Sequence, residues 1–364
     1  MRPTIKSFYS GVALLILLAV SVLLYQKPYY NWDMFPYMAL AIEDRDVPFD
    51  STHTRIYETA YISMPASDFD AISARQPELR KEATAFHEIL RYYRIKPGYN
   101  LVVSLFHHLG VNLVASTYLP SALCYFAIGC IMLLWLTRMI RPPFAQIITL
   151  VLMASPFLVT TARFSSPDML CAALCFLGLF LIMEFSVVLG LIVFLTGITA
   201  RPDTVIIYLL LCIALYKADK LNLKLTALFL LAGVGITLLI IKSPELIQEY
   251  LYTTPSYSPS WNSKERMANY GLSLRDGLTS VLSSQIILFT LLALVTLFLQ
   301  KRSGTQLLKN QWSLLIIASV ASITIRYLLH PVVEDRFLIG SYLIVTMGFC
   351  VTLIDSFRIR LPAS

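Results

Sequence analysis

The chain has 364 residues, of which 57% are hydrophobic and only 14% charged, with a net charge of +7. A soluble domain carries about 25% charged residues, so this composition excludes an ordinary soluble domain and points to repeated membrane crossings. The 29 Lys and Arg residues gather at the ends of apolar runs rather than in one patch, which argues against nucleic acid as a partner.

In chain order, the first apolar run is Tyr9–Tyr25, behind Arg2 and Lys6. It lacks a small-x-small cleavage site before Gln26-Lys27-Pro28 and reads as a retained helix rather than a signal peptide. A polar loop, residues 26–116, follows, and eleven of the chain's 22 acids lie between residues 27 and 116. Within it, Met34–Ile42 predicts a short amphipathic helix on the membrane surface. Residues 73–93 have helix-forming composition, with Leu79, Ala83, Phe86 and Leu90 along one face. The stretch Tyr99–Val114 is apolar but about 16 residues long, with His107-His108 at its centre. That suits an interfacial or re-entrant helix better than a crossing.

Further apolar runs lie at about Thr117–Leu136, Phe144–Thr161, Asp168–Met183, Val187–Thr199, Thr204–Tyr216, Leu225–Ile241, Val281–Leu299, Trp312–Leu329 and Phe337–Ile354. With the first run they make about ten transmembrane helices in an all-α, polytopic membrane domain covering residues 1–364. A second polar loop, residues 242–280, is rich in Tyr, Ser and Pro and reads as a partly ordered lid. Leaving Tyr99–Val114 out of the count puts Arg2, Lys6, Arg138, Arg141, Lys217, Lys220, Lys224, Lys301, Arg302, Lys309, Arg358 and Arg360 at cytoplasmic ends. Only Arg163, Arg201, Arg326 and Arg336 then fall in short external turns. Twelve against four satisfies the positive-inside rule, with both termini cytoplasmic and both long loops outside.

All six cysteines sit in apolar runs, so neither a disulfide framework nor a CxxC metal site is indicated. Cys171 and Cys175, one helical turn apart, read as packing residues. The same topology collects polar residues on one side, among them Asp33, Glu43, Asp44, Lys96, Arg163, Asp168, Arg201, Asp203, His330, Glu334, Asp335 and Arg336. Ionisable groups at membrane depth are costly and mark functional sites. Asp33, in the phrase YYNWDMFPYM, is either the N-cap of Met34–Ile42 or a functional acid. Glu43 and Asp44 are a second acid, a metal ligand or a solvated helix end. Arg201 either grips a phosphate or pairs with Asp203, and Arg336 stands in the same position beside Glu334. Lys96 either meets a phosphate or snorkels, and His330 either lines the site or serves the fold. Adjacent His107 and His108 point about 100° apart on a helix and do not readily share one ion. Asp168, directly after Pro167, suits a helix start. There is no Walker motif, GxSxG elbow or GxGxxG, so a cytoplasmic nucleotide-sugar site is unsupported.

Several of these residues belong to phrases in a recognisable order: Asp33 soon after the first run, Lys96-Pro97-Gly98-Tyr99-Asn100, an apolar stretch ending Leu109-Gly110, and Tyr118-Leu119-Pro120-Ser121-Ala122 opening a span. This order resembles the GT-C superfamily of polytopic glycosyltransferases, in particular enzymes similar to bacterial protein mannosyltransferases and the lipid A aminoarabinose transferase. The resemblance covers roughly residues 1–205 and departs at Gly98, where the family usually has a second Pro. It implies transfer of a sugar from a polyprenyl-phosphate donor to an extracytoplasmic glycan, lipid or protein, with inversion, at the outer face of a bacterial inner membrane. Asp33 is then the general base, and Glu43, Asp44, Lys96, Arg201, His330 and Arg336 are the candidate substrate-binding residues. A divalent metal is possible in such a site. The rival expectations are an O-antigen-type polysaccharide polymerase or ligase, and a lipid or solute transporter; the inverted repeats and broken spans expected of a transporter are not seen.

Overall fold

The computed structural model describes residues 3–44, 46–242, 274–282, 284–331 and 334–356, with side chains from Phe8 onward. The expected lid, residues 242–280, lies outside the described residues except at its two ends, as do Arg358 and Arg360. Among the described residues the regular structure is helical, apart from an isolated parallel bridge between Tyr29 and Phe164.

Among the described residues five helices are long and apolar enough to cross a membrane: α1 (Pro3–Gln26), α9 (Leu113–Met139), α15 (Leu223–Ile240), α18 (Gln311–Leu329) and the helix of Ile339–Ser356, α19. A sixth candidate is the pair α16 (Leu274–Leu282) and α17 (Ile286–Arg302), bent by 69° at its break. The other predicted spans are helical but shorter. They are α10 (Phe144–Met153), α11 (Pro156–Thr161), α12 (Asp168–Glu184), α13 (Val187–Ala200) and α14 (Val205–Lys217). The run 144–161 is cut in two because Pro156 has no N–H to continue the helix of residues 144–153. In the helices α1 and α15 only 22% and 17% of the apolar window is buried, against 72% around α19. These two keep broad apolar faces open, as a lipid-facing helix does.

The helices α12 and α13 form the tightest pair. A Cβ on Gly178 would lie 2.8 Å from the carbonyl oxygen of Gly190, so glycine at both positions permits the backbones to meet. Side-chain capping sets several starts: Asn112 accepts from Val114 N at 2.9 Å, which begins α9 at Leu113, four residues before the sequence reading.

The first loop folds into a small helical body with its own apolar core, built on α2 (Met34–Ile42), α3 (Phe49–Ser63), α4 (Ala66–Ser73), α5 (Pro77–Lys81), α6 (Ala83–Ile89), α7 (Arg91–Arg94) and α8 (Pro97–His108). Two expectations change here. The helix α2 is not amphipathic on a surface: seven of its nine residues are buried, and Phe35 stacks on Tyr57 at 4.6 Å. The stretch 73–93 is not one helix but several short ones, because Pro77 restarts the chain and Glu82 is extended. Phe86 and Leu90 are buried as the periodicity predicts, and Leu79 packs at the edge. The helix α8 has 12 residues, about 18 Å of rise, well short of a hydrocarbon core of about 30 Å. It ends at Gly110, whose φ of +87° turns the chain into α9.

Candidate functional site

The site is assembled where the first loop leaves α1. Tyr29 N donates to Arg163 O at 2.9 Å, and the Arg163 side chain donates to Lys27 O at 2.5 Å. Asn31, buried, accepts from Ser165 N at 3.3 Å, and Ser165 Oγ meets Thr117 Oγ1 at 2.8 Å. Residues 27–33 are thereby fixed against the turn before α12 and the start of α9, and Asp33 follows directly.

Asp33 occupies the N-cap position of α2, yet its backbone is helical (φ −56°, ψ −22°) and its carboxylate makes no capping bond. The carboxylate turns instead toward three side chains. Tyr93 OH donates to Oδ1 at 2.8 Å, Asn31 Nδ2 to Oδ2 at 3.1 Å, and Arg336 Nη1 to Oδ2 at 3.4 Å. Its side chain remains 31% exposed, so a substrate can reach it.

Lys96 precedes α8 and points back at the same place. Its Nζ donates to Tyr37 OH at 3.0 Å and lies 4.8 Å from the centroid of the Tyr93 ring. Burial pulls its pKa down to about 8, although Asp33 opposes the fall. Burial also holds the Tyr37 hydroxyl well above its usual range, with Asp33 adding to the effect, so this acceptor stays a neutral phenol.

Behind Asp33 lies a denser ionic lattice. Asp168, 3% exposed at the start of α12, is paired with Arg201, itself 8% exposed. Arg201 also binds Asp203 bidentately, Nε at 3.0 Å and Nη2 at 2.9 Å, and Arg326 Nε reaches Asp203 Oδ2 at 2.9 Å. Burial raises the Asp203 pKa, but Arg201 and Arg326 outweigh it and leave the carboxyl well below the usual range. Arg336 pairs with Glu334 and stands 3.7 Å from Asp168 Oδ2. The guanidinium groups of Arg201, Arg326 and Arg336 all lie on the Phe337 ring, at 4.3, 4.5 and 4.9 Å. A cavity of about 40 Å³ lies among Asp168, Arg201, Asp203, Arg326 and Arg336. It has room for water but not for a sugar ring. Asp168 Oδ2, buried beside it, has no hydrogen-bond partner.

The sequence candidates thus separate into two groups. Asp33, Lys96, Arg201, Arg336 and His330 gather at one end of the bundle. His330 ends α18 one turn after Arg326, and burial, then Arg326, lowers its pKa to about 4, leaving a neutral imidazole. Glu43 and Asp44 do not join them. They sit at the far end of α2, about 14 Å of helix rise from Asp33. There Glu43 pairs with Arg94 and approaches His87 at 3.5 Å, and Asp44 accepts from Asp46 N at 3.0 Å. His107 and His108 bond backbone carbonyls of their own segment. Among the described residues no group of three or more His, Cys, Asp or Glu side chains is arranged to hold a metal ion. The two acids flanking Arg336, Asp33 and Asp168, already share a cation.

Asn31, Tyr93, Arg326 and Phe337 were missed as site residues. Tyr93 lies three residues before Lys96, across the break between α7 and α8, and an aromatic there reads equally as core. Compared with protein-family models, curated protein sequences and solved structures, the chain matches none.

Proposed function

We propose that this chain is a membrane-embedded glycosyltransferase of GT-C type. It takes a sugar from a polyprenyl-phosphate carrier and passes it to an extracytoplasmic glycan, lipid or protein. One observation carries the reading: Asp33, an accessible carboxylate that caps no helix, stands beside two cations, Lys96 and Arg336, contributed by distant parts of the chain. That is the minimal set for transfer to a hydroxyl from a phosphate leaving group. Asp33 takes the proton of the acceptor hydroxyl. The oxygen attacks the anomeric carbon with inversion, and the bond from that carbon to the phosphate oxygen breaks. The electron pair stays on the phosphate, where Lys96 and Arg336 stabilise it. The lipid phosphate leaves as an anion, so no general acid is needed.

In this proposal the chain crosses a bacterial inner membrane about ten times, both termini are cytoplasmic, and Asp33 faces outward. The polymerase or ligase alternative would use Arg201, Arg326 and Arg336 to grip an anionic glycan. Arg201 and Arg326 are already engaged by Asp168 and Asp203, which favours a structural role for them.

The test compares membranes holding wild type or Asp33→Asn at equal abundance, offered a panel of polyprenyl-phosphate sugars. Wild type should release a lipid phosphate, and the variant should lose about 10²–10⁴-fold, the usual worth of a general base. Equal turnover would remove Asp33 from the base role. Failure of wild type to consume any donor would sink the transferase reading.

A further inference from the structure

Within the site, Asp33 already meets Arg336 at 3.4 Å, whereas the other cation, Lys96, is close to the carboxylate but not joined to it. Among the described residues Lys96 makes no ion pair with Asp33, although the carboxylate is near enough to favour its ammonium. Tyr93 is what separates them. Its hydroxyl donates to Asp33 Oδ1 at 2.8 Å while its ring carries the Lys96 ammonium at 4.8 Å. The ring is 6% exposed and held edge-on by Tyr37 at 5.1 Å and Trp32 at 6.4 Å, so it has no room to swing aside. Its backbone is fixed as well, for Tyr93 O accepts from Asn100 Nδ2 at 2.9 Å and from Lys96 N at 3.1 Å.

We propose that Tyr93 is a positioning residue: its hydroxyl aims the Asp33 carboxylate, and its ring keeps the Lys96 amine from collapsing onto that carboxylate. This deepens the transferase reading and rests on it for its purpose, but not for its geometry. A direct Lys96–Asp33 pair would set a second cation on a carboxylate that Arg336 already meets, and the acid would be a still poorer base. The phenol keeps the cation available for an anionic leaving group and the carboxylate available for a hydroxyl. A tyrosine does this where a phenylalanine would only space and a serine would only bond.

The groups that face Lys96 are Tyr37 from α2, Tyr93 from α7, Asp33 from the loop, Asp168 from α12, Arg201 from the turn before α14, and Arg336. The test is the pH dependence of Lys96 acylation by acetic anhydride, read peptide by peptide by mass spectrometry on the full-length protein in detergent. Wild type should label half-maximally near pH 8, where the amine loses its proton. Tyr93→Phe, which keeps the ring, should stay close to that value. Tyr93→Leu should move the midpoint upward by about one pH unit or more, because an adjacent carboxylate favours the ammonium. Adding Asp33→Asn to Tyr93→Leu should bring it back. Better solvation alone would leave the double variant as high as the single, and that outcome would overturn the proposal, as would a midpoint unmoved by loss of the ring. Thermal melting confirms that each variant is folded, and Tyr93→Phe keeps the test open if Tyr93→Leu is not. A second readout is donor turnover: Tyr93→Phe should lower kcat about tenfold while KM changes little, since an aimed base acts in the transition state. Labelling that behaves as expected with no turnover in wild type would retain the positioning role and refute the transferase reading instead.

Discussion

Arg201 is held by two carboxylates and supports both. Its pair with Asp168 has side chains only 9% and 1% exposed, so removing the cation leaves a buried carboxylate with only Arg336, 3.7 Å away, to balance it. Arg201→Gln should therefore cost about 3–5 kcal/mol, the usual penalty for breaking a buried pair, read as a lowered melting temperature in detergent. Adding Asp168→Asn should recover much of that loss, because the buried charge is gone. A single variant that melts with wild type would show that the pair is not structural. At this scale the sequence was legible in part. The acid Asp33 and the cations Lys96 and Arg336 stood out because charge is rare in so apolar a chain. Which acid each Arg would take was not legible: Arg201 takes Asp203 two residues away, as its neighbourhood suggests, but also Asp168, 33 residues back. Glu43 and Asp44 stand apart from Asp33 because nearness in sequence is undone by the rise of an intervening helix, and of the readings the sequence left open their place matches a helix end.

Individual helices show why local signals succeed and fail. The helix α2 was placed residue for residue, since Pro36 in its first turn and Glu43, extended at its end, mark the limits. Its surroundings were not, because a nine-residue apolar segment looks the same at a bilayer surface and in a core. Gly98 is the clearest case of an element defined by a neighbour. A Cβ there would sit 3.1 Å from the Thr199 carbonyl carbon and 3.2 Å from Ala200 N, and would strike the Thr199 hydroxyl. The start of α8 therefore abuts the end of α13, and this contact keeps Lys96 and Arg201 in one site. Gly98→Ala should force the two apart, lowering stability by about 1–3 kcal/mol as overpacking does and weakening donor turnover. Unchanged melting and turnover would mean that Thr199 yields freely. Glycine at this position is thus tied to a close approach that a methyl would obstruct.

For the molecule as a whole, the all-helical class followed from composition, while the count of crossings did not. Helices occupy the predicted apolar runs, yet among the described residues five, or six with the bent pair, have the length and composition of a span. Turns such as Arg201-Pro202-Asp203 and breaks such as Pro156 shorten the rest. The ten-crossing arrangement predicts that reporters fused near Arg141 and Lys220 are cytoplasmic. Finding either outside would invert the downstream helices and move Arg336 to the wrong face for Asp33. The meeting of those two residues also has a consequence for biogenesis. They are 303 positions apart in the chain, so the ribosome must add some three hundred residues after Asp33 before the acid meets its cation. At about 5–20 residues per second, Asp33 and the first loop wait some tens of seconds without Arg336. During that interval the half-made protein holds Asp33 without Arg336, and a nascent chain stalled before residue 336 would have a folded first loop whose acid lacks that ion pair.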